Sequence, residues 1–282
     1  MNNIFNIRRF GLVLSKDFRE KWKKYGLQFL TIFGILAVIL TLNLYNSYSY
    51  VHENRVNNVY DSVKLLQIAS FLFLGFGIFY ASTMMEQMRE KTTRIAHLSM
   101  PASHFEKFSS RWLIVTIGYI IAFFIALWLA DAVRIAVLSY KYPDLNFQLI
   151  DFKVLIDPKI NSGNYVFYSK HFFLLCISFY ALLHSLFMLG TTFWEKASFI
   201  KTFSAIVAIV LLFLLVNHWV IKIAYHNFNG FDGFGRAFDL YFGHFKEKTV
   251  MTFVSVVFAV FTFVNWTLAF FRFHESEIIN RL

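Results

Sequence analysis

Charged side chains of both signs are concentrated in one short segment that lies between two long apolar stretches. The charged residues there stand three or four positions apart, so opposite charges can pair along a solvated helix. They are Glu86, Arg89, Glu90, Lys91 and Arg94. Ile95 and Leu98 add a small apolar face. Mixed charges beside such a face are suited to docking on a soluble partner, because charge sets orientation and apolar contact adds affinity.

The second half of the segment predicts a break followed by another helix. Pro101 pushes the preceding residue away from helical geometry. We expect Ser99 to cap the following helix, with Pro101 in its first turn and Phe105 and Phe108 leading into the next apolar stretch. The expected result is a helix, an elbow and a second helix. A generic solvated loop is the alternative interpretation.

Catalytic motifs are missing from the sequence. There is no H-E-x-x-H zinc motif and no G-x-S-x-G nucleophile elbow. Gly230 to Gly235 has the spacing of a phosphate-binding loop, but Arg236 and Ala237 follow where Lys and Ser or Thr are required. His218 and His226 leave a surface metal site conceivable. We therefore expect an enzyme's catalytic residues, cofactors and metals to be absent from this chain.

The composition explains why such a polar segment stands out. Of the 282 residues, 57% are apolar, 20% aromatic and 16% charged, whereas soluble domains are about 45–50% apolar and about 25% charged. The charges are clustered and leave apolar stretches of about 20 residues, long enough to cross a bilayer. This excludes a soluble enzyme, a disordered chain and a fibrous protein. The net charge of +10 indicates anionic headgroups and topology rather than nucleic acid.

Six apolar stretches predict an all-α polytopic membrane protein, because a hydrocarbon core offers no partners for backbone polar groups. The predicted spans are Leu27–Tyr45, Leu65–Met84, Trp112–Ala130 (extending as far as Leu138), Phe172–Trp194, Phe203–Ile221 and Val250–Phe271. None of the 3 prolines falls inside a span, which favours unbroken helices.

The distribution of basic residues predicts the orientation. The segments at one end of the spans carry 16 of the 27 Lys and Arg residues. Positive charge is retained in the cytoplasm, so we expect both termini there, in a bacterial cytoplasmic membrane. The transmembrane domain then covers 27–271, between an interfacial helix at 1–26 and a cytoplasmic tail at 272–282. The loop 85–111 is cytoplasmic, and the outer loops are 46–64, 139–171 and 222–249.

The N-terminal 5–24 segment predicts an amphipathic helix that lies in the headgroup plane. Apolar residues recur at steps of three and four on one stripe: Ile7, Phe10, Leu14, Phe18 and Trp22. Basic residues fall on the opposite side: Arg8, Arg9, Lys16, Arg19 and Lys23. The helix either anchors the topology or positions the first span, and the two roles are compatible.

Several polar residues lie inside the predicted spans, where they link helices or line a path. They are Asn43, His184, Asn217, His218 and Asn265. Asp131 and Arg134, spaced i and i+3 near the outer end of the third span, are expected to pair with each other.

Two motifs resemble the membrane subunits of type-2 ATP-binding-cassette (ABC) exporters. The first combines the charged run Arg89-Glu90-Lys91, the stretch Leu98-Ser99-Met100-Pro101-Ala102-Ser103 and the pair Glu106-Lys107. The second, Gly190 to Thr202, is similar to the connection between the fourth and fifth spans of those permeases. The span count, the interfacial helix and the chain length also fit this family.

The resemblance implies that the loop after the second span docks on a separate ATPase subunit, which binds the ATP. The loop residues assigned to this role are Glu86, Arg89, Glu90, Lys91, Arg94, Leu98, Pro101, Ser103, Glu106 and Lys107. It also implies two permease halves, either two copies or a homologous pair, that export a lipid-like, amphipathic or drug-like substrate. A membrane scaffold or signalling partner that transports nothing is the alternative.

Overall fold

The computed structural model describes residues 5–50, 58–155, 166–194, 196–224 and 246–275. In these residues the secondary structure is helical, without strands. The α-helices are α1 (Ile7–Tyr50), α2 (Asn58–Ala81), α3 (Lys91–Leu98), α4 (His104–Leu113), α5 (Tyr119–Lys141), α6 (Lys170–Phe193), α7 (Ser198–Ala224) and α8 (Glu247–His274). A π-helical segment, Ile114–Gly118, joins α4 to α5. Short 3₁₀ turns lie at Glu86–Met88 and Phe152–Leu155.

Among the described residues, six helical stretches are long and apolar enough to cross a membrane, which confirms the all-α polytopic architecture. They are Ile7–Asn46, Asp61–Met88, His104–Lys141, Lys170–Phe193, Ser198–Val220 and Glu247–His274. Each contains most or all of one predicted span. The third continues to Lys141, beyond the predicted limit at Leu138. The glycine-rich stretch 230–235 and His226 lie outside the described residues.

Successive spans run in opposite directions, so the connections between them alternate between the two ends of the bundle. We call the end where α1 begins the basic end. It also holds α3 and α4, the end of α6, the beginning of α7 and the end of α8. There the Ser198 hydroxyl donates to the Ser82 carbonyl at 3.0 Å, and the Arg272 guanidinium lies over the Phe193 ring at 5.3 Å.

Two apolar cores hold the bundle together. The first lies between α1, α2 and α5, with Leu36, Leu40 and Leu65 fully buried. The second lies toward the basic end, where Met84 and Met188 meet side chains from α4 and α8. α6 packs most extensively on α8, and α1 packs most extensively on α5.

α7 is peripheral to both cores. It packs chiefly on α6, and its large side chains are mostly exposed, for example Ile209 (65%), Leu212 (61%) and Trp219 (68%). In a membrane such a surface faces lipid, which stabilises it as well as a protein core would.

The expectation of unbroken spans is wrong at one place, because the third span contains the π segment. This irregularity does not involve proline, so the scarcity of proline could not exclude it. A second irregularity, at Lys21 of α1 (φ −114°, ψ 15°), lies before the first predicted span. Breaks of this kind arise where tertiary contacts or an inserted residue replace the regular hydrogen-bond ladder.

The end opposite the basic end confirms the predicted pairing of Asp131 with Arg134. Arg134 Nε lies 2.6 Å from Asp131 Oδ1, and both side chains are buried. The pair also holds the loop that follows α5: Arg134 Nη2 donates to the Gln148 carbonyl at 2.7 Å, and the Ile150 amide donates to Asp131 Oδ2 at 2.8 Å. These bonds fold residues 142–155 back over the helix ends, where Phe147 and Ile150 are buried.

Gly190 allows the closest approach between α6 and α7. A Cβ atom at this position would lie 2.9 Å from the Cβ and Cγ2 atoms of Thr202 and would overlap its hydroxyl. Thr202 is itself buried at 5% exposure, so it has little room to move. The absence of a side chain at 190 therefore sets the distance between these two helices.

Replacing Gly190 with alanine is expected to destabilise the protein by about 1–3 kcal/mol, the usual cost of overpacking a core. Thermal unfolding in detergent measures this change. Gly34→Ala is the matched control, because an added Cβ in that part of α1 meets open space and alanine is the better helix former by roughly 0.5–1 kcal/mol. Equal unfolding temperatures for the two variants would contradict the proposed close approach.

Candidate functional site

The predicted arrangement of helix, elbow and helix is present, and we call the whole segment 85–111 the elbow. A different residue caps its second helix, α4. Ser99 is the C-cap of α3, where its amide donates to the Ile95 carbonyl. The prediction that Ser99 caps α4 is therefore wrong. Ser103 is the N-cap: its hydroxyl accepts from the Glu106 amide at 3.1 Å, and Glu106 Oε2 accepts from the Ser103 amide at 2.9 Å. This reciprocal pair is a capping box. It outcompetes Ser99 because only Ser103 has a Glu three residues later.

The charged residues 86–94 do not pair along a single helix as expected. The chain turns at Glu86–Met88, and α3 begins only at Lys91. Glu86 instead pairs with α1, through Lys21 at 3.4 Å and through Lys24. Arg89 Nη2 lies 3.5 Å from the Ser198 hydroxyl at the beginning of α7. These two charges therefore connect the turn to neighbouring spans.

Glu106 is fully buried and anchors the beginning of α1. Its carboxylate accepts from Arg9 Nε at 3.0 Å and Nη2 at 2.9 Å, and from the Asn6 amide at 2.7 Å. Lys107 is also buried, and its Nζ donates to the Leu98 carbonyl at 2.8 Å. Both residues belong to the predicted ATPase-coupling loop. Because both side chains are buried in the chain, they shape the elbow from within.

Asp17 is the main residue that the sequence interpretation missed. It is fully buried, and its carboxylate lies 3.2 Å from both Nε and Nη2 of Arg111. The Ser110 hydroxyl donates to Oδ2 at 3.2 Å, and Gln87 Nε2 lies 3.5 Å from Oδ1. Asp17 therefore joins α1 to α4 and to the turn that follows α2.

A signal for Asp17 was present in the sequence. Arg9, Val13 and Asp17 stand four residues apart and so share one helix face. Val13 is 6% exposed, so this face packs inward. The predicted apolar stripe lies on a different side of the helix, where Ile7 (76%), Phe18 (58%) and Trp22 (60%) are exposed. The interfacial helix thus has a third, inward face in addition to the apolar and basic ones.

The elbow presents a mixed polar and apolar surface. Glu90, Lys91 and Pro101 are exposed, as are Ile95 (38%) and Phe105 (43%). Three further residues assigned to docking, Arg94, Leu98 and Ser103, are half-buried at its edge. This surface has the composition expected of a docking patch.

The polar residues in the spans have different surroundings. Asn265 is buried in α8, and its Nδ2 donates to the Ser185 hydroxyl of α6 at 3.0 Å, which confirms an interhelical link. Asn217 donates to the Phe213 carbonyl of its own helix at 2.7 Å, and His218 is exposed on α7. Asn43 is half-buried on α1.

His184 is almost fully buried, at 1% exposure. Its ring lies close to the Val115 carbonyl in the π segment. Within the described residues, Nε2 of His184 and the hydroxyl of Tyr180 have no hydrogen-bond partner. Buried polar atoms without partners are costly and rare in folded proteins.

The chain matches no protein-family model, no curated protein and no solved structure. In the described part of the chain, no group of three or more His, Cys, Asp or Glu side chains could hold a metal ion. The basic end is the candidate site, because its exposed elbow combines charged and apolar side chains.

Asp17→Asn is expected to destabilise the protein by about 3–5 kcal/mol, because it leaves the buried Arg111 guanidinium without its counter-charge. Unfolding in detergent measures the change. Glu20→Gln is the control on the same helix: Glu20 pairs with Lys16 at 3.8 Å with both side chains about half exposed, and such pairs contribute about 0.5 kcal/mol or less. Similar effects of the two substitutions would show that the Asp17 pair does not hold α1 in place.

His97 makes the elbow sensitive to acid. Burial, reinforced by the positive charges of Arg111 and Lys107, lowers the pKa of His97 from 6.5 to about 3. The unfolded chain therefore takes up a proton below pH 6.5 that the folded chain does not, so stability falls as the pH falls. Between pH 7 and pH 5 we expect a loss of roughly 2 kcal/mol that His97→Gln removes. Unfolding temperatures that depend on pH equally in both proteins would exclude this origin.

Proposed function

We propose that this chain is the membrane subunit of a type-2 ABC exporter and that its elbow docks on a separate ATPase subunit. The observation that carries the proposal is a surface-exposed elbow held on the spans by one buried and one half-buried ion pair. Glu106 with Arg9, and Asp17 with Arg111, tie α4 to the beginning of α1. The sequence resemblance places the docking loop of that family in the same segment.

The ion pairs suit this segment to transmit force. A loop that is attached only at its two ends would bend when a partner exerts force on it, and the spans would not move. Here the elbow continues through α4 and the π segment into the third span. α4 is bound to α1 through the buried pair of Asp17 with Arg111 and through the buried carboxylate of Glu106. A push on the elbow would therefore displace the first and third spans together.

In the proposed mechanism, ATP binding closes the ATPase subunits and moves the elbow. The spans then tilt between inward-open and outward-open states, and ATP hydrolysis resets them. The site faces the cytoplasm of a bacterium, with both termini on that side, and two permease halves form the path. The substrate class is amphipathic, lipid-like or drug-like, in keeping with an aromatic-rich span surface.

The test is a pair of substitutions on the exposed elbow, Lys91→Glu with Ile95→Asp. Both side chains are exposed, and no hydrogen bond or ion pair of theirs holds the fold in the described residues. After crosslinking in native membranes, we expect the wild-type chain to co-purify with a subunit that carries a phosphate-binding loop and hydrolyses ATP. The double variant should lose that subunit, because charge complementarity and the apolar contact are both removed.

Lys196→Glu is the matched control, since it reverses an exposed charge at the same end of the bundle but away from the elbow. It should retain the ATPase subunit. If no ATP-hydrolysing subunit co-purifies with the wild-type chain, or if the double variant retains it fully, the permease interpretation fails. A different membrane partner retained by the elbow would support the scaffold alternative.

A further inference from the structure

We propose that Tyr180 and His184 form an intramembrane binding site for one hydroxyl group, carried either by a water molecule or by the alcohol of an amphipathic ligand. The two residues lie one turn apart on the same face of α6, with ring centroids separated by 5.7 Å. Each has a buried polar atom without a partner in the described structure, the Tyr180 hydroxyl and His184 Nε2. This inference goes beyond the proposed transport function and needs no ATPase subunit.

The chemistry of the two atoms is complementary. A neutral imidazole has one N–H donor and one acceptor nitrogen, and a tyrosine hydroxyl both donates and accepts. A hydroxyl group of a ligand also does both. Placed between His184 Nε2 and the Tyr180 hydroxyl, it would satisfy both atoms in either tautomer of the imidazole.

The surrounding side chains favour an uncharged ligand. The Phe73 ring lies 4.7 Å from that of Tyr180 and 5.4 Å from that of Tyr119. The Tyr119 hydroxyl is already engaged, since it donates to the Phe73 carbonyl at 2.6 Å. Among the described residues, no carboxylate or ammonium group lies near His184. Burial in such surroundings opposes a charged ligand.

The backbone on both sides is adapted to this site. A Cβ at Gly77 would lie 2.5 Å from the Tyr180 hydroxyl oxygen, so only glycine leaves that hydroxyl room. Opposite His184, the third span adopts its π segment, Ile114–Gly118. π segments within helices occur frequently at functional sites, because they redirect backbone groups. α2, α6 and the third span thus meet at a place where two buried polar atoms, the Tyr180 hydroxyl and His184 Nε2, lack hydrogen-bond partners within the described structure.

The first arm of the test detects water. The protein, with ¹⁵N-labelled histidine, is placed in bilayers, and solid-state NMR records magnetisation transfer from water protons to imidazole nitrogens. The chain has nine histidines, and His184→Phe identifies the signal of His184. A water contact at Nε2 that disappears in Tyr180→Phe, which removes only the hydroxyl, would assign the site to water.

The second arm detects an alcohol. A diazirine-bearing octanol and its hydroxyl-free alkane counterpart are photolysed with the purified protein, and the adducts are located by mass spectrometry. If an alcohol occupies the site, the octanol probe labels the 180–184 region and the alkane does not. Tyr180→Phe and His184→Phe should each reduce labelling about tenfold, the loss that corresponds to one hydrogen bond.

Tyr140→Phe is the control for both arms, because it removes a tyrosine hydroxyl that is 91% exposed at the far end of α5. It should leave the NMR contact and the labelling unchanged. Signal in either arm supports the site and distinguishes its occupant. If neither water contact nor hydroxyl-dependent labelling is found in the wild-type protein, or if Tyr180→Phe alters neither, the proposal is overturned.

Discussion

The salt bridge between Asp17 and Arg111 is the interaction on which the basic end depends. Both side chains are withdrawn from water, so neither charge is tolerable without the other. The bond joins residues 94 positions apart in sequence and fixes where the first part of α1 lies. Once α1 is placed, Arg9 meets Glu106, and Lys21 and Lys24 meet Glu86. The elbow rests on this layer of charge and, through Phe108 and Leu98, on the second apolar core.

The charged layer and the apolar bundle stabilise the protein in different ways. In the spans, close packing and single polar links such as Asn265 with Ser185 hold the helices together, because lipid competes equally for apolar surface. At the basic end, paired charges give orientation, since each carboxylate accepts from defined donors on another helix. The packing between the spans can therefore adjust while the elbow keeps its position relative to the beginning of α1.

The sequence predicted the six spans well because span length and hydropathy are local properties. It predicted the Asp131–Arg134 pair for the same reason, since the two residues are three apart on one helix. It could not identify the partner of Glu86, because the turn at 86–88 depends on contacts with α1. Ser99 and Ser103 are both plausible caps by residue type, and the Glu at position 106 decides between them. The irregularities at Lys21 and at 114–118 contain no proline and so leave no mark in composition.

The peripheral position of α7 makes this helix the part of the bundle that responds to bilayer thickness. Its apolar stretch, between Lys201 and Lys222, has 20 residues and extends about 30 Å at 1.5 Å per residue, which equals the thickness of a typical hydrocarbon core. In a thinner bilayer this stretch must tilt or thicken the membrane around it. α7 packs chiefly on α6 and contacts it closely where Thr202 meets Gly190. Its tilt can therefore change with the lipid while the other five spans stay packed, so membrane composition acts on this protein through hydrophobic mismatch at one helix.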